Sequence, residues 1–448
     1  MTALPRPAAL PRITAAQRRA RLMQRHLLAP AVRTRAPEAV ADALVGLHAT
    51  DPATVFLAAA ARMHAPTVAA IDAALYNPAG PVPVGRPANP LKPATLTYPL
   101  KPAELTYPGR PAVGTPAGVP ALARIRCMRR TMFVVPAHLA PAVHAATAGA
   151  HTHRHRPEAL ARLRDALGWD EHRYTAVEQA VLEVLSGARD GVTAAELAAA
   201  IPDLREQIVT YPGKPYESRQ RASTPVLGVL AAEGRIRRAR PAGSWTSAQF
   251  RWALARPLPD VPAAAAKTTL ARHYLKAFGP VTQDDLKWWT GWTATDTRKA
   301  LAATGAQAVE LDEGTGYLLP EDLEAAAASV SENTSGSAFG SSSGAVLLPG
   351  LDPTPMGWRH RDWYLDPGHT KALFDRNGNI GPTIWWNGRI VGAWAQRPDA
   401  TLNWHLLTDP GRAARAAIGK EITRLTAFLD GSRVTPCYRT PLERRLAA

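Results

Sequence analysis

Between Ile13 and Leu27 the apolar residues Ile13, Ala16, Ala20, Met23 and Leu27 recur at steps of three and four, with Arg18, Arg19, Arg21 and Arg25 between them. That period predicts an amphipathic helix with a basic face. Val40, Leu44, Leu47 and His48 line one side of a second predicted helix, which breaks at Thr50-Asp51-Pro52, a capping residue followed by a first-turn proline. A third helix starts there and runs through Val55 and Leu57 to about Met63, and a short fourth covers Thr67 to Tyr76. The pattern then lapses over residues 77–120, where prolines and glycines crowd around the repeated nonamers LKPATLTYP and LKPAELTYP. No helix or long strand tolerates that spacing, so the segment reads as an inserted surface loop. Its Arg86, Lys92, Lys101 and Arg110 either sit in solvent or brush phosphates. RIRCMRRTMFVVP (124–136) follows as a basic stretch running into an apolar strand that closes at Pro136.

From about 175 to 256 the order is a helix around Val177 to Leu185, a helix AAELAAAI capped by Thr193, and a longer helix ending near Glu233. Two strand-like runs, RIRRAR (235–240) and QFRWAL (249–254), then flank a turn-rich connector. Three helices and a basic hairpin are the winged helix-turn-helix plan, in which the hairpin lies along a nucleic-acid backbone. The order returns from 267: a helix through Leu270, Tyr274 and Phe278, then Thr282 capping DDLKWW, a helix from Gly291 to Ala303, and a hairpin AVEL/YLLP that is acidic instead. An acidic hairpin makes a poor phosphate contact and fits a structural partner better.

A Ser- and Gly-rich loop and an apolar, strand-rich stretch complete the chain. Within it, Asn387-Gly388 between TIWW and RIVGAW predicts a type I′ hairpin, and a last helix runs from about Pro410 to Leu429. The fold class read from this is α+β, mainly α: three tandem winged helix-turn-helix units with a β-rich C-terminal region. The expected divisions are unit one at 1–165 with its insertion, unit two at 166–260, unit three at 261–329, a Ser/Gly loop at 330–345 and the C-terminal region at 346–448.

Charge sharpens the picture. The 53 Lys and Arg outnumber the 37 Asp and Glu, a net of +16, and only nine of the cations are Lys. A polyanionic partner follows, and the planar guanidinium suits phosphate and guanine edges. The two cysteines, Cys127 and Cys437, have no neighbours at metal-ligand spacing, and no run of about 18 apolar residues occurs, so the expectation is a cytoplasmic, nucleoid-associated protein with no cofactor, metal or membrane partner. No oligomeric state is implied. His151, His153 and His155 lack a completing acid or cysteine and read as a solvated basic tract. Trp385, Trp386 and Trp394 read as core beneath their hairpin, with at most one free to stack on a base.

LVGLHATDPATV (44–55), MRRTMFVVP (128–136), GSWTSAQFRW (243–252) and the run from LLPGLDP to GPTIWWNGRIVGAW together resemble the AlkZ-like winged-helix DNA glycosylases, in the family's order and over nearly the whole chain. The resemblance implies hydrolysis of the N-glycosidic bond of bulky alkylated purines, or unhooking of crosslinks, in double-stranded DNA. It also implies catalysis from a Gln-apolar-Gln motif, whose positions here hold His48, Ala49 and Thr50. Neither glutamine is present.

His48 as a neutral imidazole could aim the hydrolytic water or take its proton, and Thr50 could hold the same water. Asp51 is either an oxocarbenium-stabilising carboxylate or a helix cap. The structural alternative for His48 is a packed histidine satisfied by a backbone carbonyl. The expected backbone readers are Arg129, Arg130, Arg235, Arg237 and Arg238, with Arg359 and Arg361 as DNA contacts near the first unit or else a surface charge cluster. Two rival readings stand beside the glycosylase: a non-catalytic, regulatory DNA binder, and a protein-interaction scaffold.

Overall fold

Thr14 opens the first helix, α1 (Ala15–Arg25), through a reciprocal box: its hydroxyl accepts from the Gln17 amide, and the Gln17 side chain accepts from its own. The basic face of α1 is spent inside the molecule. Arg18 pairs with Glu313 at 2.5 Å, and Arg21 and Arg25 both reach Asp322. The acidic third hairpin is thus a docking surface for the N-terminal segment, with Arg12 adding pairs to Glu310 and Asp312.

This computed structural model describes residues 10–77, 120–147, 152–188, 190–210, 213–214, 217–323 and 344–448; nearly all of the proline-rich insertion and of the Ser/Gly loop lies outside them. Helix α2 (Pro37–Ala43) ends earlier than its apolar pattern predicts. Val45 takes a left-handed backbone (φ 62°), and Gly46 passes so close to the neighbouring strand that a Cβ there would stand 2.8 Å from Val135 Cγ1. Leu47 and His48 are therefore the strand β1 (Leu47–His48), not the end of a helix. Helices α3 (Pro52–Ala61) and α4 (Val68–Tyr76) follow; Asp51 takes the capping position, one of its two expected readings, and Thr67, expected as the first residue of the fourth helix, caps α4. The hairpin β2 (Leu122–Arg126) and β3 (Met132–Pro136) then completes a sheet in the order β1-β3-β2.

Two helices that the apolar pattern does not announce come next, α5 (Ala140–Thr147) and α6 (Thr152–Leu167). The histidine-rich tract leads into the first turn of α6. That helix is held by Leu163, which is fully buried, and by Leu160 and Leu167 packed around it in the core of the second repeat.

The recurring order is explicit from residue 171 onward. Helix α7 (Glu171–Ser186), strand β4 (Val192–Thr193) and helix α8 (Ala194–Ala200) lead to a ribbon of β5 (Gln207–Thr210) and β6 (Ser218–Arg221). Helix α9 (Ser223–Ala232) and the hairpin β7 (Ile236–Pro241) and β8 (Phe250–Leu254) close a sheet β4-β8-β7. The long helix expected before Glu233 is cut to ten residues by that ribbon. Pro212, Gly213 and Pro215 forbid a helix through it.

The order repeats with α10 (Ala263–Phe278), β9 (Val281–Thr282), α11 (Gln283–Thr290), α12 (Ala294–Ala303) and the hairpin β10 (Gln307–Leu311) and β11 (Gly314–Leu318), in the order β10-β11-β9. In all three sheets the short strand before a helix pairs with the last strand of the hairpin. The C-terminal strands β12 (Ala345–Leu348), β13 (Thr383–Trp386), β14 (Arg389–Gln396) and β15 (Leu402–Leu406) form an antiparallel meander, covered by the helices Arg412–Leu429 and Pro441–Ala447. Asn387 (φ 47°) and Gly388 (φ 76°) make the predicted turn. The chain is α+β, and among the described residues no helix is long and apolar enough to cross a membrane.

The segment α6 to β7 has its own core, built on Leu163, Trp169, Tyr174 and Leu230. A second core runs through α1, β3, α10 to α12 and the C-terminal sheet, so residues as distant as Met23, Tyr274 and Trp385 share it. Helix α3 sits between that sheet and β1, buried on every side. Its C-terminal end is tied by Arg62, whose five donors are all used: His26 O, Ala58 O, both oxygens of Asp352 and Thr354 Oγ1, at 2.7–2.9 Å. Arg62 and Asp352 are both 0% exposed. Asp352→Ala strands that guanidinium in the interior, and the expected loss of unfolding free energy in a denaturant titration is about 3–5 kcal/mol.

Candidate functional site

In the second and third repeats the short strand runs straight into its helix, because Thr193 and Thr282 are both strand residue and N-cap. The first repeat differs there. Ala49, Thr50 and Asp51 are interposed between β1 and α3, and the backbone leaves the sheet as a loop before the helix begins. The Ala49 amide still donates to Met132 O at 2.8 Å, while its carbonyl accepts from Arg124 Nη1 at 3.0 Å. Thr50 is half-buried. Asp51 uses both carboxylate oxygens: Oδ1 accepts from the Ala53 amide at 3.1 Å, and Oδ2 from the Cys437 amide at 3.0 Å. Burial holds its carboxyl above the ordinary range.

His48 stands at the start of this loop, 5% exposed and 5.1 Å from the Phe133 ring. Its Nδ1 has no hydrogen-bond partner. Burial first, and then the nearby Arg129 cation, lower its pKa to about 4. The imidazole is therefore neutral at physiological pH, with a buried nitrogen that calls for a water or a substrate group.

Two pairs of arginines flank the loop, each pair sharing one aromatic ring. Arg129 lies 4.2 Å, and Arg361 5.0 Å, from the Trp288 ring centre on α11. Arg361 also lies 5.0 Å from Phe374, and the Nε of both arginines is buried and unpartnered. Left-handed backbone at Arg129 (φ 49°) and Arg130 (φ 62°) turns the tip of the β2–β3 hairpin inward to make this contact. Arg124 and Arg238 form the other pair, 4.7 Å and 5.1 Å from Phe250. Burial, then Arg361, lowers the Arg129 pKa; burial, then Arg124 and Arg126, lowers that of Arg238. Among the described residues none of Arg124, Arg126, Arg129, Arg130, Arg238 and Arg361 pairs with a carboxylate.

The expected cations thus separate. Arg129, Arg238 and Arg361 come together around the loop; Arg130 is exposed at the hairpin tip and Arg237 on the β7–β8 hairpin. Arg235 instead faces Glu178 and Glu233 at 3.5 and 3.6 Å, and Arg359 faces Asp284 at 3.8 Å. Of the three tryptophans expected at the C-terminal hairpin, Trp385 and Trp394 are core, their indole N–H groups bonded to Thr383 Oγ1 and Leu348 O, and Trp386 is half-buried. Sequence reasoning missed Arg124, Arg126, Phe250 and Trp288 as members of the site. Period two along β2 places Leu122, Arg124 and Arg126 on one face, a signal present in the basic stretch had it been read as a strand. Nothing local marks the two rings.

Unpaired guanidiniums gathered on partly buried rings repel one another, and a polyanion beside them would relieve that repulsion. The comparisons agree with that chemistry. The family described as "DNA glycosylase AlkZ-like" matches residues 120–428. The chain is similar in fold to the Streptomyces sahachiroi DNA glycosylase AlkZ, with 20% sequence identity, a TM-score of 0.62, and coverage of 94% of this chain and 98% of that one. Comparison with proteins of curated function returns no match.

The His48 ring signals in an NMR titration are expected to move with a midpoint near pH 4. Because the unfolded chain takes up this proton near pH 6.5 and the folded one does not, the stability tied to His48 is complete above that pH and is lost as pH falls toward 4. His48→Gln is expected to flatten the stability curve in that window.

Proposed function

Because the chain belongs to the AlkZ-like DNA glycosylase family, we propose that it hydrolyses the N-glycosidic bond of bulky alkylated purines, or of crosslinked ones, in duplex DNA. The observation that carries the reading is the orphaned Nδ1 of neutral His48 in a loop interposed only in the first repeat, flanked by arginines without acid partners. We read the three repeats as winged-helix units in series, divided as the sequence predicts, with the first and second hairpins facing the DNA backbone.

An N7-alkylated purine already carries positive charge, so its departure needs no acid. The C1′–N9 electron pair moves onto the base and neutralises it, while a water oxygen bonds to C1′ and gives up a proton to bulk solvent or a basic group. With a pKa near 4, His48 is a weak proton acceptor at neutral pH and serves by orienting the water through its free nitrogen. Thr50, half-buried on the same loop, offers a second oxygen to that water. Asp51, with both oxygens engaged, contributes as a fixed carboxylate behind the loop, where it favours the developing oxocarbenium charge. Arg129, Arg130, Arg237, Arg238 and Arg361 are proposed to hold phosphates, whose charge in turn relieves the repulsion among them. Arg235 and Arg359, already facing acids, contribute less.

A second reading, a DNA binder without catalysis, is favoured by the burial of His48, since water must reach a residue only 5% exposed.

Incubation with a duplex carrying one N7-alkylguanine, followed by alkali, separates the two. Strand breaks at the adduct are expected, and His48→Ala is expected to slow their appearance by about 100-fold. Equal rates in the variant remove His48 from the chemistry, and binding without breaks on any adduct leaves the second reading. Binding itself is expected to weaken steeply with salt, with a log-log slope of several units for about five or more neutralised phosphates.

A further inference from the structure

We propose that Arg124, Arg126 and Arg238 form a seat for one phosphodiester group of the DNA backbone, and that Arg124 conveys its occupancy to the 49–51 loop through the Ala49 carbonyl. This rests on the DNA reading above and names the residues that would align the backbone with the loop.

The first and second repeats meet here: β2 runs beside β7, bringing Arg124 and Arg126 from one hairpin to Arg238 of the other. The junction is fastened by a neighbour. Arg240, two residues beyond Arg238, donates to both oxygens of Asp72 at 3.2 and 2.6 Å and to Asn77 Oδ1 at 3.0 Å. Asp72 is therefore consumed by Arg240, and among the described residues the three other guanidiniums have no carboxylate partner. Arg124 is 8% exposed; one terminal nitrogen holds Ala49 O, the other lies 3.4 Å from the Tyr76 hydroxyl, and its Nε is buried and unpartnered. Arg238 lies over Phe250 and over Trp252, at 5.1 and 5.5 Å, so its planar edge is left for a ligand.

A tetrahedral oxyanion fits forked donors converging from two sides, and a phosphodiester is the form that duplex DNA supplies. The pivot is the Ala49 bond. A guanidinium held by phosphate on one edge fixes the carbonyl on the other, and with it the residues between His48 and the N-terminus of α3.

The test measures binding of an undamaged 20-bp duplex by the full-length chain across a range of salt, with inorganic phosphate added at constant ionic strength as a second arm. Arg238→Ala is expected to weaken duplex binding about tenfold and to lower the log-log salt slope by about 0.9, the share of one phosphate. Arg238→Lys is expected to restore the slope but only part of the affinity, since a point charge cannot present the fork. An unchanged slope in Arg238→Ala, with duplex binding intact, overturns the seat. Millimolar inorganic phosphate is expected to compete with the duplex in wild type and less in Arg238→Ala; phosphate binding that depends on Arg238 but leaves duplex binding unchanged shows a pocket for the free ion rather than for the backbone, and also overturns the seat. Failure of the wild-type chain to bind any duplex sinks the DNA reading itself.

The link to the loop has its own readout. In Arg124→Lys with wild-type melting behaviour, kcat on an N7-alkylguanine duplex is expected to fall about tenfold with KM within twofold. Unchanged kcat there overturns the link.

Discussion

Helix α3 is the element on which the candidate site depends, and burying it completely imposes the main constraint. All ten of its residues are buried, so every polar group at its ends needs a partner from within the protein. Asp51 satisfies the first turn. At the other end the carbonyls of Ala58, Ala60 and Ala61 are taken by Arg62 and by Arg424 of the C-terminal helix. Arg62 is in turn neutralised by Asp352. A buried pair of this kind adds little net stability over an apolar one, but breaking it is costly, and its geometry admits one arrangement. Because Asp51 also binds the Cys437 amide, the loop before α3 is clamped between β1 and the C-terminal segment. The His48-Ala49-Thr50 segment is thus placed by contacts reaching nearly 400 residues along the chain.

The same accounting explains how a chain of net charge +16 distributes its arginines. On α1 they meet the acidic third hairpin and Asp322, and at Arg235 and Arg156 they meet Glu178 and Glu233. At these positions an acid meets each arginine that fastens one element to another. Around the 49–51 loop the arginines have no acid partner among the described residues, and aromatic rings carry the guanidiniums instead, which keeps them oriented without cancelling their charge. A surface that keeps its charge exposed in this way loses some folding stability in exchange for attraction to an anion.

One of those cations, Arg129, also adds to the effect of burial on His48: burial disfavours the charged form first, and the cation second. A phosphate near Arg129 weakens the second effect, so the imidazole becomes a somewhat better proton acceptor only when a polyanion is in place. The chemistry proposed for the loop and its electrostatics are therefore coupled to occupation of the arginine pairs.

Local signals in the sequence determined a good deal. Thr14, Asp51, Thr67, Thr193 and Thr282 cap helices where their spacing to the following residues requires it, and Asn387-Gly388 turns where only positive φ will serve. These depend on interactions within four residues, so they form in exposed and buried settings alike. The repeated element order and the excess of arginine were equally legible. Tertiary structure alone decided that Leu47 and His48 form a strand, since Gly46 must pass against Val134 and Val135, and that α6 packs by its leucines into the core of the second repeat. It also decided which arginines are spent and which are free. Arg62 meets Asp352 across 290 residues and Arg129 meets Trp288 across the fold, and a pairing of that range leaves no period or motif for the sequence to display.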